Sequence, residues 1–148
     1  MTTSHMKMRR HLVAALSIAA VLTIVSASTS QAGVLGARHH AQVPAKICNF
    51  DWRKGTFQVR RLVRCAANHW DVPGGATTAL YVANRESKFH PNAYNASGCA
   101  GIYQHMLRYW PGRAAAYGFR GWSAFNARAN IIVTMRMVKH NGWGPWGS

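Results

Sequence analysis

Residues 79–104 read ALYVANRESKFHPNAYNASGCAGIYQ, and their order settles the class of fold around them. Ala79, Leu80, Ala83 and Glu86 fall on one side of a helix, because side chains three and four positions apart share a face. That helix must stop before His90-Pro91, since the residue preceding a proline is driven out of the helical region. Residues 91–100, made of Pro, Asn, Ala, Tyr, Ser, Gly and Cys, have the composition of a loop. Gly101-Ile102-Tyr103-Gln104 then leads into a short apolar segment through Met106, Leu107, Tyr109 and Trp110, with a break expected at Pro111-Gly112. Glu86 therefore ends its helix on the inward side, beside an Asn-rich loop.

Helical periodicity continues in both directions from this stretch. From residue 57, Val59, Leu62, Val63, Ala66, Ala67 and Trp70 make one apolar stripe, while Arg60, Arg61 and Arg64 lie off it on a solvated face. Pro73-Gly74-Gly75 breaks this helix, and Thr77 or Thr78 is placed to start the next. Beyond residue 104, Arg113 to Tyr117 suit a short helix before Gly118. The longest helix is expected from about Ser123 to His140, with Phe125, Ala129, Ile132, Val133, Met137 and His140 on one stripe. Ile131, Thr134 and Val138 widen that stripe, as expected of a central helix buried on more than one side. No segment alternates like a strand, so the class is mostly α, in one domain over residues 57–148 behind a loose leader at 33–56.

Composition narrows the function. The chain has 148 residues, 49% of them hydrophobic, with 18 Lys plus Arg against 3 Asp plus Glu. Asp51, Asp71 and Glu86 are too few acids for an EF-hand or a two-metal carboxylate site. There is no Cys-x-x-Cys and no His-Glu-x-x-His, and His39-His40 is too small a ligand set, so neither metal nor cofactor is expected. Lys7, Arg9 and Arg10 precede the uncharged run Leu12–Val25, and Ser30-Gln31-Ala32 closes a small-residue segment. This is the pattern of a secretory signal peptide over residues 1–32. The run is too short for the roughly 20 residues of a spanning helix, so no stable membrane insertion is expected after cleavage.

Removal of residues 1–32 leaves 15 basic against 3 acidic residues, a net charge of +12. Such a surface attracts polyanions. For a secreted or wall-associated chain, anionic wall polymers or lipid headgroups are more available partners than nucleic acid, and a monomer is expected. Export also permits a disulfide. Among Cys48, Cys65 and Cys99 three pairings exist; Cys65–Cys99 is favoured because it would clip the loop after Glu86 to the first helix.

Glu86 is the sole glutamate. A carboxyl on an inward face is usually functional or ion-paired, here with Arg85, Lys88 or another arginine. If functional, its chemistry is protonation of a glycosidic oxygen. A two-carboxylate glycosidase needs a second acid about 5–9 Å away, yet neither Asp51 nor Asp71 has an obvious reason to face Glu86. A single-acid design that relies on the substrate or on bound water is left. Ser87 lacks a Gly-x-Ser-x-Gly elbow, and a Cys99–His105 thiol site lacks an orienting acid.

Residues 79–104 resemble the core of the lysozyme-like soluble lytic transglycosylase domain. The resemblance lies in the Glu86-Ser87 pair, the aromatic Phe89, Pro91-x-Ala93, and the turn Ser97-Gly98-x-x-Gly101-Ile102-x-Gln104. Asn130-Ile131 is similar to the family's Asn-Ile element, and Gly142 with Trp146 to its Gly…Pro-Trp ending. Gly101 to His105 looks closest to compact secreted forms from high-GC Gram-positive bacteria. The likeness covers about residues 57–148, although Tyr103 stands where the family commonly has Met. It implies a lysozyme-like helical domain that cleaves peptidoglycan between N-acetylmuramic acid and N-acetylglucosamine. Glu86 would be acid then base, the muramyl 6-hydroxyl the nucleophile, and a 1,6-anhydro sugar the product. Gln104 matches a residue that contacts sugar, with Ser87, Tyr103 and Asn130 as cleft-shaping or hydrogen-bonding residues. Tyr94, Tyr103, Trp110, Trp143 and Trp146 are available for stacking on sugar. Two alternatives remain: a hydrolytic muramidase of the same fold, and a noncatalytic cationic wall-binding or antimicrobial protein.

Overall fold

The computed structural model describes residues 42–147. Residues 1–32, read in the sequence as a signal peptide, the pair His39-His40 and the first part of the expected leader lie outside the described residues. Within them the fold is mostly α: α1 (Thr56–His69), α2 (Gly75–Ser87), α3 (Trp110–Ala116) and α4 (Ala127–Asn141), with a two-stranded hairpin, β1 (Cys99–Ala100) and β2 (His105–Met106). Short 3-10 turns at Trp52–Lys54 and Gly144–Trp146 flank the set. The strands pair antiparallel, Cys99 opposite Met106 and Ala100 opposite His105. They differ from the strand-free expectation because two-residue strands are too short to leave an alternating pattern.

α1 buries Val59, Leu62, Val63, Ala66 and Ala67 and leaves Arg60, Arg61 and Arg64 in solvent, as its periodicity dictates. It packs on α2 and on α4. α4 is the central helix: Ala129 to Met135 are all inaccessible, including the polar Asn130 and Thr134. Each buried Ile or Val there contributes about 1.5–3 kcal/mol. α4 begins at Ala127 rather than near Ser123 because Asn126 caps it, accepting the Ala129 N–H at 3.1 Å. α2 begins at Gly75, ahead of Thr77, on a left-handed Gly74 with no side-chain cap. The break expected at Pro111-Gly112 does not occur. Pro111 lies in the first turn of α3, where a missing N–H removes no intrahelical bond.

Two expectations need correction. Residues 43–55 are not a loose leader: Val43 and Cys48 are buried, and Arg128 of α4 donates to the carbonyls of Pro44 (2.8 Å) and Ile47 (2.9 Å). The disulfide joins Cys48 to Cys65, with Cα atoms 5.6 Å apart, so Cys65–Cys99 does not form. The packed N-terminal segment brings Cys48 against α1, whereas Cys99 is held in β1 as a free thiol. Among the described residues no helix is long and apolar enough to cross a membrane, and no group of three His, Cys, Asp or Glu could hold a metal.

Candidate active site

α2 closes on two consecutive left-handed non-glycine residues, Lys88 (φ +54°) and Phe89 (φ +65°). A bulky residue in that region is strained, and burial of the Phe89 ring, with Arg60 stacked over it, holds it there. The reversal leaves Glu86 in the last turn of α2 and sends the chain into the Asn-rich loop in front of it. Asn95 folds that loop by accepting the N–H groups of Ser97 (3.0 Å) and Cys99 (3.1 Å), and its amide donates to Gln104 Oε1 at 3.1 Å.

The turn between β1 and β2 is set by Gly101 (φ +77°) and Gln104 (φ +48°). A Cβ on Gly101 would overlap both the Ala124 carbonyl and the Asn130 amide, so glycine is required at that position. Gln104 Nε2 donates to the carbonyls of Ala93 (3.2 Å) and Gly101 (3.0 Å), which fixes its side chain at the edge of a hollow.

That hollow measures about 370 Å³ and is lined by Glu86, Asn95, Cys99, Gln104, Met106, Arg113, Pro145 and Trp146. Its size suits a small-ligand site, roughly 300–1,000 Å³. Glu86, half-buried at 24% side-chain exposure, receives Arg85 on one oxygen: Nη2 at 2.8 Å and Nε at 3.1 Å both reach Oε1. Arg85 also donates to the Trp146 carbonyl, and its hydrogen bond to Glu86 raises its pKa above the usual value. Oε2 of Glu86 has no partner among the described residues. The Trp146 ring, anchored by its Nε1 to the Tyr103 carbonyl at 2.9 Å, packs edge-on against Tyr103, His105 and Trp143.

Of the residues singled out in the sequence, Glu86 and Gln104 meet in this pocket. Ser87, Tyr103 and Asn130 lie beneath it with their polar atoms used internally. Ser87 Oγ donates to Ala83 O at 3.2 Å. The Tyr103 hydroxyl, whose pKa burial raises well above normal, donates to Ala79 O at 2.9 Å. Asn130 accepts the Tyr103 N–H (2.9 Å) and donates to Ala100 O (3.3 Å) and Ala124 O (2.9 Å). These three shape the pocket from below and offer nothing free to a ligand. Among the stacking candidates Trp143 and Trp110 are buried, Tyr94 is exposed, and Trp146 alone lines the pocket.

Asn95, Met106 and Arg113 were not singled out as site residues in the sequence, and Cys99 was weighed only as a disulfide partner or thiol. The Asn-rich loop, the hairpin, α3 and the Gly144–Trp146 turn bring these residues and Pro145 around the pocket with Glu86. Arg113 is half-buried and donates from Nη1 to His105 Nδ1 at 2.9 Å. His105 in turn donates from Nε2 to Thr134 Oγ1 at 2.8 Å, and Thr134 donates to Asn130 O at 2.8 Å. Burial, helped by the Arg113 charge, lowers the His105 pKa to about 3, so the ring is neutral and its Nδ1 accepts.

The other acids lie elsewhere. Asp51 caps the Trp52–Lys54 turn and stands 4.0 Å from Arg53, and Asp71 pairs with Lys139 at 3.0 Å. Two larger hollows, of about 490 and 420 Å³, are lined around Trp52 and Arg53. The first has no carboxylate, and in the second Asp51 is committed to its own turn. The pocket at Glu86 is therefore where a carboxyl group, side-chain amides and an aromatic wall converge. No known family model matches the chain, and no curated protein or solved structure matches it.

Proposed function

We propose that this chain is a secreted, lysozyme-like enzyme that cleaves peptidoglycan glycan strands between N-acetylmuramic acid and N-acetylglucosamine. The observation that carries the reading is the meeting of Glu86 and Gln104, 18 positions apart in the sequence, in one pocket with no second carboxylate among the described residues. Glu86 in its neutral form gives its proton to the bridging oxygen as the C1–O bond breaks. As a carboxylate it then takes the proton of the muramyl 6-hydroxyl, whose oxygen bonds to C1 and closes the 1,6-anhydro ring. A lone acid suffices because the second nucleophile belongs to the substrate. The Arg85 pair does not block this role: Arg85 is solvent-exposed, such pairs are weak and screened, and Oε2 has no partner among the described residues. The disulfide accords with an oxidising compartment outside the cell, as does the basic-then-apolar N-terminus.

Glu86→Gln removes the proton and preserves the shape. Purified peptidoglycan digested by the parent chain should release muropeptides one water lighter than hydrolytic products, and the variant should release none while still adsorbing to walls. Hydrolytic masses would replace transglycosylation by a muramidase reaction. Undiminished turnover in Glu86→Gln would refute the assignment. The Glu86–Arg85 pair also fits a noncatalytic cationic wall binder, since each of the three acids already has a basic partner. That second reading predicts salt-sensitive adsorption without turnover in the parent chain.

A further inference from the structure

We propose, on the glycan-cleaving reading above, that Arg113 is an anion-binding residue of the pocket and selects glycan strands that present a free carboxylate. Arg113 lines the same pocket as Glu86, and no carboxylate among the described residues comes within ion-pair reach of it. Glu86 is engaged by Arg85 instead. Among the described residues Arg113 is held by the Tyr109 ring, 5.5 Å from its guanidinium carbon, and by His105, a buried neutral imidazole that accepts at Nδ1 and is locked behind by Thr134 and the Asn130 carbonyl; neither carries a negative charge. An imidazole acceptor orients a guanidinium without neutralising it, so the whole charge stays available on the pocket side. Partial burial makes that charge costly, lowering the Arg113 pKa, and a half-desolvated guanidinium binds a carboxylate more strongly than one in water. The fold therefore spends a three-residue chain from α4 through β2 on aiming one uncompensated cation at the pocket.

Muramic acid offers such a carboxylate from two sources. The lactyl group is free where the stem peptide is absent, and stem peptides carry their own carboxylates.

The test compares stem-free and stem-bearing strands, each with its carboxylates intact or converted to neutral methylamides, as substrates for the full chain. Amidation should raise KM about tenfold, the scale of one lost charged hydrogen bond, with kcat changed less than twofold. A response confined to stem-free strands assigns the lactyl group, and one confined to stem-bearing strands assigns the peptide. Arg113→Gln should have the high KM on every substrate, Arg113→Lys should recover part of the difference, and exposed Arg120→Gln should keep it in full. Equal KM for intact and amidated strands overturns the proposal, as does an Arg120→Gln effect equal to that of Arg113→Gln, which would mean a general surface field. If Arg113→Gln does not fold, the amidation series and Arg113→Lys decide. If the parent chain cleaves no strand, the glycan-cleaving reading falls separately. Trp fluorescence titration with the same four strands then decides for Arg113: carboxylate-dependent binding supports the site and carboxylate-independent binding refutes it.

Discussion

Asn130→Ala separates the two roles that position can have, a contact to sugar or a strut beneath the pocket. The side chain is inaccessible and makes three hydrogen bonds, at 2.9 Å from Tyr103 N and at 3.3 and 2.9 Å to the carbonyls of Ala100 and Ala124. Truncation leaves those backbone groups buried without this partner, at a cost of about 1–3 kcal/mol for a group left unsatisfied. Allowing for water entry and for the other bonding capacity of Ala100 in the hairpin, the loss should be about 3–5 kcal/mol. For a domain of this size each kcal/mol moves the melting point by roughly 4–8 °C, so the variant should melt about 12–40 °C below the parent. That is a large share of a typical 5–15 kcal/mol stability. Thermal unfolding followed by far-UV circular dichroism, with the disulfide intact, reads the shift, and peptidoglycan turnover well below the new melting point should largely survive. A melting point within about 5 °C of the parent, with turnover abolished, would refute the strut and make Asn130 a substrate contact.

Gly101→Ala should be destabilised by at least about 2 kcal/mol, because an L-residue at φ +77° is strained and its methyl meets the Ala124 carbonyl and the Asn130 amide; urea unfolding measures the loss. The native chain should show one titratable thiol, that of Cys99, and peptide mapping without reduction should recover a Cys48–Cys65 fragment. Cys48→Ala/Cys65→Ala, which opens a link across 17 positions, should lower stability by about 2–4 kcal/mol. Acid should also destabilise the fold through His105. Its folded pKa, about 3, lies below the unfolded value near 6.5, so the unfolded chain binds the extra proton between those limits. The stabilisation of the neutral ring is complete above about pH 6.5 and is lost by up to about 1.4 kcal/mol per pH unit down to about pH 3. His105→Gln should flatten that part of the stability–pH curve, and an unchanged slope would show that His105 is already protonated in the fold.

The local helical plan was legible because periodicity is a property of the chain alone. The α1 stripe from Val59 to Ala67, the wide apolar face of α4 and the stop before Pro91 each follow from spacing and from the conformational limits of proline. Pro111 was misread as a break because its tolerance depends on whether it falls in a first turn, and only the end of the preceding loop sets that register. Glu86 was legible as the one glutamate in an inward last turn, and Gln104 through its place in a motif. The roles of Ser87, Tyr103 and Asn130 were not, since a side chain that serves the backbone and one that serves a ligand look alike in a sequence. Tertiary structure shows that their polar side chains bond internally beneath the pocket. It also paired Cys48 with Cys65, through the packing of residues 43–48 on the domain, and brought Arg113 to Glu86 across 27 positions. Periodicity records which way a residue faces on its own helix. What waits on the other side depends on how distant segments fold together, and no local pattern encodes it.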